Sequence, residues 1–489
     1  MIELKDILQN ISHELIGDSM PSVDEIVFDS RKAKAGKLFV AQRGTLFDGH
    51  KFIADVIAQG CVCIMCEQIP KEQPEGVCFI KVEDTHGALG VASSNFYNNP
   101  SKNVKLVGIT GTNGKTSVAT LLHRLFSQLG YKTGLLSTVR NLIGNSELDA
   151  THTTPDAVSL NRIMNDMVQA GCDYVFMEVS SHAIDQQRIA GLQFDGAVFT
   201  NITHDHLDYH QTFDAYIKAK KAFFDNLDAK AFALVNLDDK RGRVMVQNTK
   251  ASVKTFSLHH ISDYKAKVLE SHFDGTMLSI NNTEVWSQLI GDFNSSNLLA
   301  VYAVADLLGM EQQEVMEQLS TLKTVDGRFE YLRSNTGVTA IIDYAHTPDA
   351  LLNVLKTINN IRQGGGQLVT VVGAGGNRDK AKRPEMAKIA ANSSDKVIIT
   401  SDNPRDEEPQ SIIDDMLQGV EMHRKQRVLS IVDRREAIRT ACMLAQPGDT
   451  ILVAGKGHET YQEVKGVKTH FSDKEVVSEN LMLNQINNQ

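Results

Sequence analysis

Excess basic charge, long apolar runs and a cysteine framework are all missing from this chain, and each absence narrows what it can be. Fifty Lys and Arg stand against 60 Asp and Glu, a formal net charge of −10. A general nucleic-acid binder carries a basic face, so no nucleic-acid partner is expected; a pocket for a small anion needs only a local cluster of Arg and Lys. No apolar run approaches the ~18 residues of a membrane helix, so no membrane insertion is expected. The opening Met-Ile-Glu-Leu-Lys-Asp-Ile-Leu is charged and amphipathic and lacks a signal-peptide core. Six cysteines spread over 489 residues point to a reduced, cytoplasmic protein, not a disulfide scaffold. Cys61, Cys63 and Cys66 crowd together in an apolar, strand-like run without a second ligand pair, so buried thiols are expected there over a metal site.

What is present reads as globular. The length suggests about three domains of roughly 150 residues each. Residues 1–98 mix short strands and helices and end near the linker-like Tyr97-Asn-Asn-Pro-Ser101. Residues 99–332 alternate helices with the apolar runs Val104–Thr110, Tyr174–Val179, Ala197–Thr200 and Phe232–Val235. Residues 333–489 do the same with Thr339–Asp343, Leu368–Gly373, Lys396–Thr400 and Thr450–Ala454. Such alternation predicts an α/β fold with mostly parallel sheets, whose ligand chemistry collects at the carboxyl ends of the strands.

The most specific stretch is Val104 to Ser117, Val-Lys-Leu-Val-Gly-Ile-Thr-Gly-Thr-Asn-Gly-Lys-Thr-Ser. A strand runs into a glycine turn, Gly111-Thr112-Asn113-Gly114, that can aim N–H groups at a polyphosphate on a helix N-terminus. Lys115 would reach the outer phosphates, and the Thr116 hydroxyl, next to Ser117, suits Mg2+. Ile109 stands where the strict phosphate-loop pattern has its first glycine. Val118, Leu121, Leu122, Leu125, Phe126 and Leu129 then mark one helical face, closed by Gly130. These features indicate ATP.

Glu178 ends the run Tyr174–Val179 and could hold Mg2+ through oxygen. His204, His206 and His210 follow the next strand; zinc, a magnesium and substrate role, and structural histidines are all open readings, and no second His/Cys cluster completes a tetrahedral zinc set. Lys220, in Ala-Lys-Lys-Ala-Phe-Phe, reads by composition as part of a solvated helix face.

In this order the chain carries Thr-Gly-Thr-Asn-Gly-Lys-Thr, Glu-Val-Ser-Ser-His, Asp205-His-Leu-Asp, Gly291-Asp-Phe-Asn294 and Gly327-Arg-Phe-Glu330. Asp343-Tyr-Ala-His-Thr-Pro-Asp349, Gly373-Ala-Gly-Gly-Asn-Arg378, Asp402-Asn-Pro-Arg405 and Gly455-Lys-Gly-His-Glu459 complete the set. Together they resemble the Mur ligase family over nearly the whole chain. The resemblance implies an N-terminal α/β domain for uridine diphosphate (1–98), a central P-loop ATPase-type parallel-sheet domain (99–332) and a C-terminal Rossmann-like domain for the amino acid (333–489). It implies a cytoplasmic, monomeric amide ligase with small-molecule partners only: ATP as co-substrate, UDP-N-acetylmuramoyl-L-alanyl-D-glutamate, and meso-2,6-diaminopimelate, with Mg2+ as cofactor. The γ-phosphoryl group of ATP would activate a carboxylate as an acyl phosphate that the amine then attacks. A lysine-adding homologue and a folylpolyglutamate synthetase are the alternatives within the fold; a mechanical P-loop ATPase would leave the second Rossmann-like set without a use, and a nucleotide-binding regulator would not need Lys115, Thr116 and Glu178 together.

Residue by residue, the resemblance makes Lys115, Glu178, His206 and Lys220 catalytic. It assigns Thr116, Glu178 and His206 to magnesium and carries Lys220 as a carbamate (N6-carboxylysine). Asn294 and Arg328 match nucleotide contacts. Phe28, Ser30 and the loop Thr45-Leu46-Phe47 match the uridine diphosphate region. Thr153, Thr154, Ser180, Gln186 and Arg188 match contacts to the muramoyl dipeptide, with His152 standing where the family often has Asn. Arg378, Asp402, Asn403, Pro404, Arg405, Gly455 and Glu459 match the amino-acid site. Diaminopimelate differs from lysine by a distal carboxylate, and the planar Arg405 fork suits that group.

Overall fold

The computed structural model describes residues 1–17, 20–44, 47–148, 153–362 and 365–486. Thr45, Leu46 and His152 therefore lie outside the described residues. Three main sheets follow one another along the chain. The first has the strand order Glu14–Ile16, Cys78–Lys81, Cys63–Cys66, Lys37–Val40, Glu25–Val27, parallel except at the Glu14–Ile16 edge. Cys63 and Cys66 are buried in its middle strand, and Cys61 just before it donates its thiol to the Lys37 carbonyl at 3.2 Å.

The second sheet has eleven strands. Lys105–Thr110 lies at its centre, parallel to Tyr174–Glu178 on one side and Gly196–Phe199 on the other. The chain leaves that strand toward one edge and returns on the opposite side, so the topological switch point, where ligands bind in such folds, falls at Thr110. Both faces are covered, which is why the strand is apolar from Leu106 to Ile109. Val107 and Ile109 pack under helices Lys115–Gln128 and Asp292–Leu307, while Leu106 packs on the opposite face with helices Ala157–Gln169 and Phe213–Asp225. The predicted stripe of helix Lys115–Gln128 is buried from Val118 to Phe126, and Gly130, at φ +91°, follows its end. Each such leucine contributes about 2 kcal/mol by leaving water. The far side of this sheet departs from the expected parallel pattern. Tyr264–His272, Gly275–Ile280 and Thr283–Ser287 form an antiparallel meander that sequence alternation did not reveal.

The third sheet runs Glu330–Arg333, Thr339–Asp343, Thr450–Ala454, Leu368–Ala374, Lys396–Ser401, Val428–Ser430, parallel except at its first edge. Its strand ends face the central switch point. Asn113 donates to Asp349 at 3.2 Å, Arg328 to the Thr116 hydroxyl at 3.0 Å, and Arg378 lies 3.7 Å from Asp208. Between the two sheets lies a cavity of about 820 Å³. Among the described residues no helix is long and apolar enough to cross a membrane.

Candidate active site

The phosphate loop is held open by backbone conformation and by its neighbours. Gly111 and Gly114 have φ of +155° and +88°, and a Cβ on Gly111 would collide with the Thr200 hydroxyl. The next strand end braces the loop: Asn201 accepts from the Thr112 and Asn113 N–H groups at 2.8 and 2.9 Å, and Thr200 donates to the Asn113 carbonyl at 2.6 Å. Lys115 folds over this loop and donates to the carbonyls of Gly111 and Thr112 at 2.9 and 2.8 Å. Burial lowers its pKa, against the opposing pull of Glu178 and Asp205.

Glu178 is fully buried beside Ile109, with which it pairs in register. Its carboxylate accepts from the Thr138 N–H at 2.7 Å and the Thr138 hydroxyl at 3.2 Å, neutral donors both. Thr153, Thr154, Ser180 and Arg188 line the same cavity, and Gln186 reaches it by bonding Arg188. The Arg188 guanidinium donates to the Thr154 carbonyl at 2.8 Å and to Gln186 Oε1 at 3.0 and 2.7 Å. Thr138, which nothing in the sequence reading singled out, follows the strand Thr133–Leu136, so the strand-end rule alone could have found it.

His206 sits in the left-handed region at φ +55°, its Nε2 3.4 Å from Asp205. Burial holds its imidazole neutral, below the ordinary histidine range. Burial also works to raise the Asp205 carboxyl, but His206, His346, Lys382 and Lys115 outweigh it and keep it ionised. His210 bonds the Ser181 hydroxyl at 2.9 Å, and the His204 ring stacks on Phe213. Lys220 departs from the solvated face that composition suggests. It is 1% exposed, donates to the Gly111 carbonyl at 2.9 Å and lies 4.8 Å from the Tyr216 ring centre. Desolvation and the nearby Lys115 charge bring its pKa well below the ordinary lysine value. Among the described residues no three His, Cys, Asp or Glu side chains converge as metal ligands.

Arg328 lines the cavity with its guanidinium 4.4 Å from the Tyr344 ring centre, beside Asp343, whose buried carboxyl is raised to about 6. Asn294 does not line the cavity: its amide donates to the carbonyl of Ile290, just ahead of helix Asp292–Leu307, at 2.9 Å, and Asn297, one turn on, lines the cavity. Of the expected amino-acid residues only Arg378 lines the cavity wall. The others form a tight cluster at the strand ends beyond it. Asn403 donates to Glu459 at 2.8 Å, buried Lys456 donates to Asn403 and Glu459 at 3.1 and 2.9 Å, and Asp402 accepts from the Asn403 N–H at 2.7 Å. A Cβ on Gly455 would collide with Asp402, and Pro404 packs its carbonyl against Gly376. Arg405, at φ +54°, donates to the Gly376 carbonyl at 2.8 Å and has Glu463 at 3.9 Å. Phe28, Ser30 and Phe47 do not line the cavity; Phe28 and Phe47 are exposed on the first sheet's side of the molecule, and Asp29 caps the turn at Ser30.

Comparison with known proteins agrees with this layout. Residues 22–97 match the description "Mur ligase family, catalytic domain", residues 109–305 "Mur ligase middle domain" and residues 327–457 "Mur ligase, glutamate ligase domain". The chain is 56% identical over 479 residues to UDP-N-acetylmuramoyl-L-alanyl-D-glutamate--2,6-diaminopimelate ligase from Bacteroides fragilis, covering 98% of this chain and 99% of that one. A solved structure of a ligase with that same name superposes with a TM-score of 0.69 at 31% identity, covering 99% of both chains. A MurF ligase from Thermotoga maritima in complex with ADP matches at TM-score 0.63 and 20% identity over 94% of this chain and 98% of that one, a likeness of fold. Motif order, sheet topology and relatives over the full length agree: the chain belongs to the Mur ligase family.

Proposed function

We propose that this chain is the ATP-dependent ligase that adds meso-2,6-diaminopimelate to UDP-N-acetylmuramoyl-L-alanyl-D-glutamate in peptidoglycan precursor synthesis, acting in the cytoplasm as a monomer. Residues 1–98 hold the uridine diphosphate through Phe28, Ser30 and the loop reaching Phe47, residues 99–332 hold ATP, and residues 333–489 present the amino acid. One observation supports this most. Lys115, Arg188 and Arg328 converge on a single cavity, yet among the described residues each hydrogen-bonds to neutral oxygens. Three cations gathered on one cavity, none hydrogen-bonded to a carboxylate among the described residues, suit a site for a triphosphate and a substrate carboxylate.

A free carboxylate is a poor electrophile, and phosphorylation gives it a leaving group. Arg188 orients the D-glutamyl carboxylate by its planar fork. Lys115 swings from its loop carbonyls to the transferring γ-phosphoryl, and the loop N–H groups and Arg328 carry the remaining phosphate charge. The resulting acyl phosphate is attacked by the neutral amine of diaminopimelate; the tetrahedral adduct expels phosphate, the C–N bond remains and the ammonium proton is lost. Asn403 and Glu459 hold the amino acid's ammonium end, and Arg405 with Arg378 its distal carboxylate.

The donor set fits Mg2+. Glu178 is a buried carboxylate whose hydrogen-bond partners among the described residues are neutral, and the Thr116 hydroxyl and His206 line the same cavity. When bound, the ion would neutralise phosphoryl charge as a Lewis acid. Lys220 completes this set as a carbamate: burial favours the neutral form of its Nζ, whose lone pair adds to CO2, forming an N–C bond and releasing one proton. The test is phosphate release by the purified protein with ATP, the muramoyl dipeptide nucleotide and one amino acid at a time. Release with meso-diaminopimelate and little with L-lysine is expected. Turnover with L-lysine alone, or ATP hydrolysis indifferent to the amino acid, would overturn the assignment.

A further inference from the structure

We infer that Arg434, locked to Asp473, is a positioning residue for the amino-acid site: it ties together the two strand ends that carry the Asp402–Arg405 and Gly455–Glu459 loops. The inference rests on the amino-acid site proposed above. Arg434 opens helix Arg434–Leu444 and Asp473 opens the last helix, and both side chains are completely buried. Arg434 Nε and Nη2 donate to the two Asp473 oxygens at 2.8 and 2.7 Å. This leaves donors for two backbone carbonyls. Nη1 donates to Ser401 at 3.2 Å and Nη2 to Ala454 at 3.0 Å.

Those two residues are the last of strands Lys396–Ser401 and Thr450–Ala454, which are not neighbours. Leu368–Ala374 lies between them in the sheet, so no ladder hydrogen bond fixes one end against the other. The Arg434 guanidinium spans that gap. Immediately beyond the two carbonyls the loops meet, where Asn403 bonds Glu459 and Lys456 bonds both. A planar five-donor fork fixes both ends and its carboxylate partner at once; a lysine ammonium has the charge without the reach. A displacement of about 1 Å at either end would part Asn403 from Glu459, a misplacement large enough to cost ~10²-fold in turnover.

A buried ion pair can also serve stability alone, and the experiment separates the two roles. Apparent KM is measured for all three substrates, with kcat and Tm, in Arg434→Lys, Asp473→Asn and the double variant Arg434→Met/Asp473→Leu. The double variant replaces the pair by an apolar one that packs without leaving a lone buried charge, so it retains the fold. Positioning predicts that its KM for meso-diaminopimelate rises at least ~10-fold while KM for ATP and for the nucleotide substrate stays within ~2-fold. Arg434→Lys should show the same split. A folded double variant with an unchanged diaminopimelate KM, or a rise shared equally by all three substrates, overturns the inference. If the unaltered enzyme takes a different amino acid, the functional assignment fails, and the same split is then read with that amino acid.

Discussion

Two pairs of basic side chains, buried or half-buried, are bonded in opposite ways in two parts of this molecule. In the central sheet Lys115 and Lys220 donate, among the described residues, to carbonyls and one hydroxyl at the phosphate loop. In the third sheet Arg434 meets Asp473 and Lys456 meets Glu459. A desolvated basic group bonded to neutral oxygens is costly to the fold, and its persistence points to chemistry that uses it. A buried charge already paired, as Arg434 is with Asp473, serves to hold loops in register. The first pair belongs to reacting groups and the second to the frame around them.

Removing Lys115 gives the sharpest break in that comparison. Lys115→Ala should fold normally, because no ion pair is lost, and should lose ~10³-fold in kcat since one charge at the transferring phosphoryl is gone. A folded Lys115→Ala enzyme that releases phosphate at the unaltered rate would remove the phosphate loop from the mechanism. Lys220 tests the same side differently. Lys220→Ala should lose at least ~10²-fold in activity and recover part of it with added short carboxylic acids, which occupy the vacated carbamate position. Intact-protein mass measured without acid, showing an unmodified lysine in fully active enzyme, would count against the carbamate.

On the paired side, Arg405 is the informative exception. Its guanidinium is only weakly committed to Glu463, at 3.9 Å, so it retains capacity for the distal carboxylate of diaminopimelate. Arg405→Ala should lower kcat/KM for that amino acid by ~10² while KM for ATP is unchanged, because a bidentate contact to charge is lost at one substrate only. An equal loss for ATP would show that the Asp402–Arg405 loop supports domain closure and not amino-acid choice.

How far the sequence reveals this depends on whether an interaction is local. The phosphate loop is contiguous, so its strand, turn and helix are legible, and the switch point follows from them. Lys220 was readable too, by its spacing: Tyr216, Phe223 and Phe224 lie four before and three and four after it, which places it on the buried face of helix Phe213–Asp225. Composition pointed the other way because its neighbour Lys221 is indeed near the surface, paired with Asp225. Asn294 shows a finer limit. It opens a helix next to a cavity, but whether its amide turns to the cavity or to its own backbone depends on a rotamer, and Asn297 takes the cavity side. Arg434 and Asp473 lie 39 residues apart and look like two surface charges until the sheet brings them together. The antiparallel meander was hidden for a related reason: Tyr264–His272 alternates buried and exposed residues over a polar segment, so no apolar run marks it.

The smallest expected effect separates frame from chemistry by acid. Glu407 receives the Arg383 guanidinium at 3.0 and 2.8 Å and the Asn377 N–H at 2.6 Å, which joins the loop after Arg405 to the Gly376–Arg378 turn. The Arg383 hydrogen bonds hold its carboxyl down at about 2, from an ordinary 4.5. A depressed carboxyl stabilises the fold above its unfolded pKa, and that contribution drains away as pH falls from about 4.5 toward about 2. Water at the rim screens the pair, so the expected contribution is roughly 1 kcal/mol, less than the shift alone would give. Arg383 also keeps Asp415, at 2.9 Å, so Glu407→Gln leaves the guanidinium with one carboxylate and does not strand it. Denaturant unfolding of Glu407→Gln should therefore show a modest loss of stability at pH 7 that narrows toward pH 3, with kcat for phosphate release little changed. A deficit that stays constant down to pH 3 would mean that the Glu407 pair contributes packing alone.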